Sequence, residues 1–320
     1  MEYQVKVSRM INNIERLIVG KREAVEYTLI TLLAGGHLLL EDVPGVGKTT
    51  LAKALAQTID CGFTRVQFTP DTLPSDVTGL SIYNMQTGSF EYSKGAIMTN
   101  IVLADEINRT SPKTQASLLE AMEERQVTVD GVTYPLPKPF MVIATQNPVD
   151  YLGTYNLPEA QLDRFMIKIS IGYPSASDEQ IMADKFLSKQ FASALEAVVG
   201  GDDIIRMQQE VTEIKVNRDL VTYITRFIQD TRKDSNISLG ASPRATLALI
   251  RAAQAKAYLE GRAYCIPDDI IKLIVPVIAH RIILSPEAKL AQTKVEKVLK
   301  DIISKIPVPV INTEAMVKSE

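Results

Sequence analysis

Through the first 175 residues, short unbroken apolar runs alternate with longer stretches whose apolar positions recur every three to four residues. This alternation predicts parallel strands joined by crossover helices, because a parallel sheet is covered on both faces and its strands read as continuous apolar runs. Residues 37–41, 65–68, 101–105, 140–145 and 166–171 are the expected strands. Between them, residues 49–59 place Leu51, Leu55 and Ile59 at i, i+4 and i+8, the spacing of one helix face. Ser111-Pro112 reads as N-cap and first helical residue ahead of Gln115, Leu118, Leu119 and Met122. Two segments break the alternation. Residues 81–93 and 127–136 set apolar and aromatic residues around Thr87-Gly88 and Asp130-Gly131, which predicts two hairpins inserted on the sheet scaffold.

After Tyr173-Pro174 the strand pattern ends, and Ser177 with Gln180 has the spacing of a capping box opening a helix toward Gln190. Further on, Leu220, Tyr223, Ile224, Phe227 and Ile228 form one apolar stripe, and Val295, Val298, Leu299 and Ile302 another. The expected organisation is therefore an α/β core over residues 1–175 and a helical domain over 176–320, with an extended or frayed tail from Ile306.

Composition narrows the function classes. The chain has 320 residues, 46% of them hydrophobic, enough for roughly two domains at about 150 residues each. Its 35 basic residues stand against 38 acidic ones, a formal charge of -3, so it lacks the basic excess that a nucleic-acid backbone demands and no nucleic-acid partner is expected. Two cysteines and two histidines supply neither a disulfide framework nor a zinc site, which fits a reducing compartment. No apolar stretch approaches the roughly 18 residues of a membrane span, and a cytoplasmic location is expected.

The chemistry concentrates at the ends of the predicted strands. After the apolar run Leu38-Leu39-Leu40 come Pro44, Gly45, Val46, Gly47, Lys48, Thr49 and Thr50, leading into a helix. In such a strand-loop-helix context, glycines let backbone amides converge on phosphates and the helix N-terminus adds partial positive charge. Lys48 would reach the outer phosphates and the Thr49 hydroxyl would ligate Mg2+. Asp42 occupies the position where the usual pattern has its first glycine, so its carboxylate is expected to point away from the phosphates. The strand at 101–105 delivers Asp105 and Glu106 at its C-terminal end, the edge where open parallel sheets bind ligands. Adjacent residues face different sides, which suits Asp105 for a Mg2+-bound water and Glu106 for orienting or deprotonating an attacking water. Asn147 follows the next strand and could hold that water or touch the γ-phosphate.

The runs LLLEDVPGVGKT, RVQFTPDTLPSDVTG, LADEINRTSPKTQASLLEAMEERQV, ATQNP and LPEAQLDRF, with GASPRATLALIRAAQAKAYLEGRAYCIPDDI in the helical half, resemble the MoxR family of AAA+ ATPases in order and spacing over most of the chain. The resemblance implies a P-loop AAA+ core, a parallel five-stranded αβα sheet, followed by an all-helical lid, with the two hairpins as family inserts. Gly45, Gly47, Lys48 and Thr49 match Walker A, Asp105 and Glu106 match Walker B, and Asn147 matches sensor 1. Arg164 matches the arginine finger shown to a neighbouring subunit, and Arg244 matches sensor 2 in the first turn of a lid helix. It further implies ATP and Mg2+ as cofactors, a self-assembled ring of six, and chaperone-like action on a partner such as a von Willebrand factor A domain protein. A chelatase-type motor subunit, a nucleic-acid-dependent motor or a nucleotide-gated scaffold would share the same loop.

Overall fold

The computed structural model describes residues 2–147, 155–188 and 195–310. Helices α1 (Glu2–Glu15) and α2 (Arg22–Leu33) precede strand β1 (Leu38–Glu41), which feeds α3 (Lys48–Thr58) and β2 (Phe63–Gln67). A short α4 (Pro74–Thr78) leads into the hairpin β3 (Gly79–Asn84) and β4 (Ser89–Lys94), and the chain returns through β5 (Ile101–Asp105). Next come α5 (Pro112–Glu124), the second hairpin β6 (Gln126–Val129) and β7 (Val132–Pro135), β8 (Met141–Gln146), the short α6 (Glu159–Leu162) and β9 (Ile167–Ile169).

Five of these strands form one parallel sheet in the order β2-β5-β8-β1-β9. Its two faces follow the strand period of two. Leu38 and Leu40 of β1, Ile101 and Leu103 of β5 and Met141 and Ile143 of β8 pack with α1, α2 and α3, while Leu39, Val102, Ala104, Val142 and Ala144 pack with Leu118, Leu119 and Met122 of α5. Each fully buried leucine contributes about 1.5–3 kcal/mol over its exposed state, and burial on both faces is why the strands read as unbroken apolar runs. Ser111 caps α5 as its sequence predicts, its Oγ accepting from the Thr114 amide at 3.3 Å.

Both inserts are separate two-stranded sheets that turn at Thr87-Gly88 and Asp130-Gly131. The hairpins lean on each other through stacked Tyr92 and Tyr134 rings, 4.0 Å between centroids. Tyr83 and Phe90 instead pack edge to face on the exposed side of the first hairpin, near the exposed Ile82 and Met85.

The second half contains α7 (Ala176–Leu187), α8 (Gly201–Thr212), α9 (Arg218–Thr231), a strand β10 (Ile237–Leu239), α10 (Pro243–Leu259), α11 (Pro267–Ile278), β11 (Ile283–Leu284), α12 (Pro286–Leu290) and α13 (Val295–Ser304). The stripe of α9 is buried along its length, and Val298, Leu299 and Ile302 of α13 likewise, in a cluster continuous with the α1–α3 face of the sheet. Three expectations need correction. The capping box opening α7 lies two residues earlier: Ser175 Oγ accepts from the Asp178 amide at 3.2 Å, because Pro174 already ends the extended segment and Ser175 takes the N-cap conformation. That helix ends at Leu187, and Gln190 lies outside the described residues. The half is also not wholly helical, since β10 and β11 pair antiparallel. Residues 307–310 of the expected tail carry no helix or strand, and the remainder lies outside the described residues.

A buried ion pair joins the later helices to the sheet. Arg281 faces Asp163 at 2.8 Å between Nε and Oδ1, donates to the carbonyls of Val277 at 2.7 Å and Phe165 at 2.8 Å, and has its pKa pulled down to about 10 by burial, against the opposing pull of Asp163. Arg281→Met would leave the largely buried Asp163 carboxylate with, among the described residues, the Ser242 hydroxyl at 3.0 Å as its side-chain partner. The expected cost is about 3–5 kcal/mol in urea unfolding, since breaking a buried pair from one side strands a charge. A loss under about 1 kcal/mol would show that the pair carries little of the junction.

Candidate functional site

The phosphate-type loop leaves β1 at the C-terminal edge of the sheet. Gly45 and Gly47 adopt φ of 89° and 96°, left-handed values that favour glycine, and Gly47 is the N-cap of α3. The amide-rich start of α3 therefore opens onto a cavity of about 350 Å3 lined by Pro44, Gly45, Gly47, Lys48, Thr49, Thr50, Arg65, Gln67, Asp105 and Glu106. Val46 is the exception in the loop: its side chain packs against the hydrophobic cluster. Asp42 is buried away from the cavity, accepting from Ser170 Oγ at 2.6 Å and from the amides of Ile171 at 2.6 Å and Gly172 at 3.0 Å. Its carboxylate thus ties the loop entrance to the end of β9. Its carbonyl oxygen, on the other side, accepts from Lys48 Nζ at 2.8 Å. Burial lowers the Lys48 pKa, offset in part by Asp105, Asp42 and Glu106.

The carboxylates across the cavity are held by β8 and β2. Thr145 Oγ donates to Asp105 Oδ1 at 2.6 Å and accepts from the Glu106 amide at 2.9 Å. Glu106 sits at φ 57°, ψ 48°, a left-handed conformation that costs a non-glycine residue about 1–3 kcal/mol and turns its side chain out of the strand direction. Arg65 donates to Asp105 Oδ2 from NH2 at 2.7 Å and from Nε at 3.1 Å, and Gln67 Nε2 donates to Glu106 Oε2 at 2.7 Å. Arg109 adds a contact to Glu106 at 3.3 Å. Arg65 and Gln67 are site residues that sequence reasoning passed over. Their only signal was a pair of polar residues two apart in a strand, which places both on one face. Asn147 stands buried at this same sheet edge, just beyond β8, but does not line the cavity.

Arg164 and Arg244 are elsewhere. The Met166 amide donates to the His37 carbonyl at 2.9 Å, so Arg164 belongs to the edge where β1 enters the sheet, opposite the edge where the Lys48 loop leaves it. The four residues of β1 separate those edges by about 13 Å. Arg164 Nε meets Glu123 Oε2 at 2.8 Å, and Arg244 NH2 meets Glu123 Oε1 at 2.6 Å. A cation in the first turn of α10 opposes the helix dipole and needs an anion; within this chain Glu123 provides it. Ser242, the N-cap of α10, makes no capping bond and instead donates from Oγ to Asp163 at 3.0 Å.

Neither histidine is a functional candidate. His37 Nε2 donates to the Met122 carbonyl at 3.1 Å and its Nδ1 accepts from the Val142 amide at 3.0 Å, and burial with nearby Arg125 pushes its pKa down to about 3. His280 is likewise buried against the Phe165 carbonyl at 2.9 Å, with its pKa far below the usual value chiefly from burial. Among the described residues, no helix is long and apolar enough to cross a membrane.

Comparison with known proteins agrees with this geometry. Residues 37–167 match the ATPase family associated with various cellular activities (AAA), and residues 229–302 match the AAA lid domain. The chain is 39% identical to Chaperone MoxR1 of Mycobacterium tuberculosis, over 96% of this chain and 83% of that one. It is 52% identical to the uncharacterized protein YeaC of Bacillus subtilis, over 95% of each. A crystal structure of a candidate ATPase from Cytophaga hutchinsonii superposes with a TM-score of 0.90 at 39% identity, covering 97% of this chain and 96% of that one. With a five-stranded parallel core, a helical lid and relatives of this extent, the chain belongs to the MoxR family of AAA+ ATPases.

Proposed function

We propose that the chain binds Mg-ATP in the Lys48 cavity and hydrolyses it between copies of itself in a closed ring, a reading carried by one observation: the two groups of candidate residues lie on opposite edges of the sheet. Lys48, Thr49, Asp105 and Glu106 share the exit edge of β1, whereas Arg164 and Arg244 share the entry edge. That separation supports assigning the two groups to different chains, which a head-to-tail ring would bring to one nucleotide. Residues 1–175 then act as the nucleotide-binding core and 176–320 as the lid that presents Arg244.

Within the cavity, the amides at the start of α3 and the Lys48 ammonium bind the phosphates. The oxygens of Thr49 and Asp105 are the hard donors that suit Mg2+, an ion that keeps several waters and enters with phosphates through one or two carboxylates. When bound, Mg2+ neutralises charge on the phosphate oxygens. Glu106, turned out of β5, orients the attacking water and takes its proton, and release from Gln67 frees the carboxylate for that task. Asn147 at the neighbouring strand end helps place the water. Arg164 and Arg244 of the adjoining copy stabilise charge on the transferring phosphoryl group.

The work done is chaperone-like remodelling of a partner protein in the cytoplasm, a von Willebrand factor A domain protein or another client. The name of the mycobacterial relative supports the chaperone reading, and the exposed Tyr83, Met85 and Phe90 of the first hairpin offer the apolar surface such an encounter needs. Glu106→Gln keeps shape but takes no proton, so it is expected to bind ATP near normally, lose about 10²- to 10⁴-fold in turnover and hold its partner for co-purification. Native turnover in this variant would remove Glu106 as the base, and co-purification of nucleic acid in place of protein would overturn the chaperone reading.

A further inference from the structure

The cavity at the entry edge of β1, about 300 Å3, is strongly cationic: Arg125, Arg164, Arg244, Arg251 and Arg281 line it against Glu123 and Asp163. His37 on its wall is neutral, its pKa held near 3 by burial. Asp163 is committed to buried Arg281 and to Ser242. Arg125 is committed to the carbonyls of Gly35 and Phe140, the latter at 2.6 Å. That leaves Glu123 as the wall's one carboxylate shared between Arg164 and Arg244, with one oxygen given to each at 2.8 and 2.6 Å.

Two features of Glu123 stand out. It lies in the last turn of α5, where the helix dipole disfavours a carboxylate, so its position gains nothing from its own helix. It also bridges two elements, the loop before β9 and the first turn of α10. One helix face of α10 carries Arg244, Leu247, Ala248 and Arg251 into the cavity. Among the described residues Arg251 makes no ion pair, and the charge it acts on is that of Arg125, whose pKa falls first from burial and then from Arg251. A site with paired guanidinium groups on one carboxylate and a further arginine two turns along the same helix is laid out for an anion with more than one phosphate.

We infer that Glu123 is a positioning residue and an internal stand-in for a phosphate: it spaces Arg164 and Arg244 in the separate chain and is displaced when the outer phosphates of a nucleotide held by a second copy enter the cavity, with Arg251 receiving the next phosphate inward. The inference rests on the proposal that the two arginines act on a neighbour's nucleotide. Holding the guanidinium groups in place beforehand removes the ordering cost at assembly, and satisfying them with a carboxylate keeps the separate chain from capturing free phosphate.

The test uses inorganic tripolyphosphate and the full chain carrying Lys48→Ala, which disables the phosphate loop. Calorimetry should show weak binding in this background and about tenfold tighter binding once Glu123→Gln is added, since a charge shared by two partly exposed pairs is removed. Arg164→Ala or Arg251→Ala on top of it should cancel the gain, and Glu123→Ala, checked by thermal melting alongside the Gln variant, should reproduce it. Equal affinity with and without the Glu123 substitutions, or a gain that survives both arginine substitutions, overturns the inference. Rings mixed from Arg164→Ala and Glu106→Gln chains test the neighbour's role separately. A gain here with inactive mixed rings would overturn only the action on a neighbour's nucleotide, and no gain with active mixed rings would overturn only the role of Glu123.

Discussion

Arg164→Ala is expected to lower ATP turnover by about 10³- to 10⁵-fold while leaving the ATP affinity of the separate chain close to native. The affinity is spared because Arg164 sits at the entry edge of β1 and takes no part in the Lys48 cavity. Stability should change little, since its pair with Glu123 is partly exposed and worth at most about 1 kcal/mol, and Glu123 keeps Arg244 as a partner. The decisive measurement mixes Arg164→Ala chains with Glu106→Gln chains. Each alone is inactive, but a mixed ring contains interfaces that set an intact arginine against an intact glutamate, so activity should return. If rings demonstrably mix and stay inactive, Arg164 serves its own chain, and its bond to Glu123 is structural.

Lys48→Ala should weaken ATP by about 2–5 kcal/mol, a factor of about thirty to several thousand. Lys48 is the cavity's ammonium, bonded to a neutral backbone carbonyl, whereas Arg65, the other cation lining it, is spent on Asp105. Removing the ammonium leaves the phosphates facing Asp105 and Glu106 without the lysine charge at the start of α3. Folding should be unaffected, because the bond given up is a single one to the Asp42 carbonyl at a crevice, and a superimposable melting curve would confirm it. Unchanged ATP affinity in calorimetry would remove the phosphate-loop assignment.

How far these residues could be read in advance depended on the range of the forces that place them. The strands of the core announced themselves because burial on both faces demands unbroken apolar runs, and the amphipathic helices because one buried face repeats every 3.6 residues. The Lys48 loop was legible for the same reason: glycines at positive φ, the helix start and the lysine are consecutive, so their chemistry is complete within ten residues. The capping box of α7 was misplaced by two residues even though it is local, since two serines compete there and Pro174 decides between them. The pairing of β10 with β11 left no readable signal, as strands of three and two residues owe their existence to a partner more than forty residues away.

By itself, then, the sequence determined the layered core, the helical second half, the phosphate loop and the carboxylates Asp105 and Glu106 at a strand end, all of them products of short-range period and local backbone chemistry. The tertiary structure decided what those groups face. It turned the Asp42 carboxylate onto residues 170–172, brought Arg65 and Gln67 of β2 onto Asp105 and Glu106 through the β2–β5 pairing, and drew Ser242 away from its cap to Asp163. Above all it carried Arg164 and Arg244, eighty residues apart in the chain, to opposite oxygens of Glu123. Charged side chains are long, carry no periodic signature and answer to whichever counter-ion packing delivers within about 4 Å, so their partners are a property of the fold and not of any stretch of sequence.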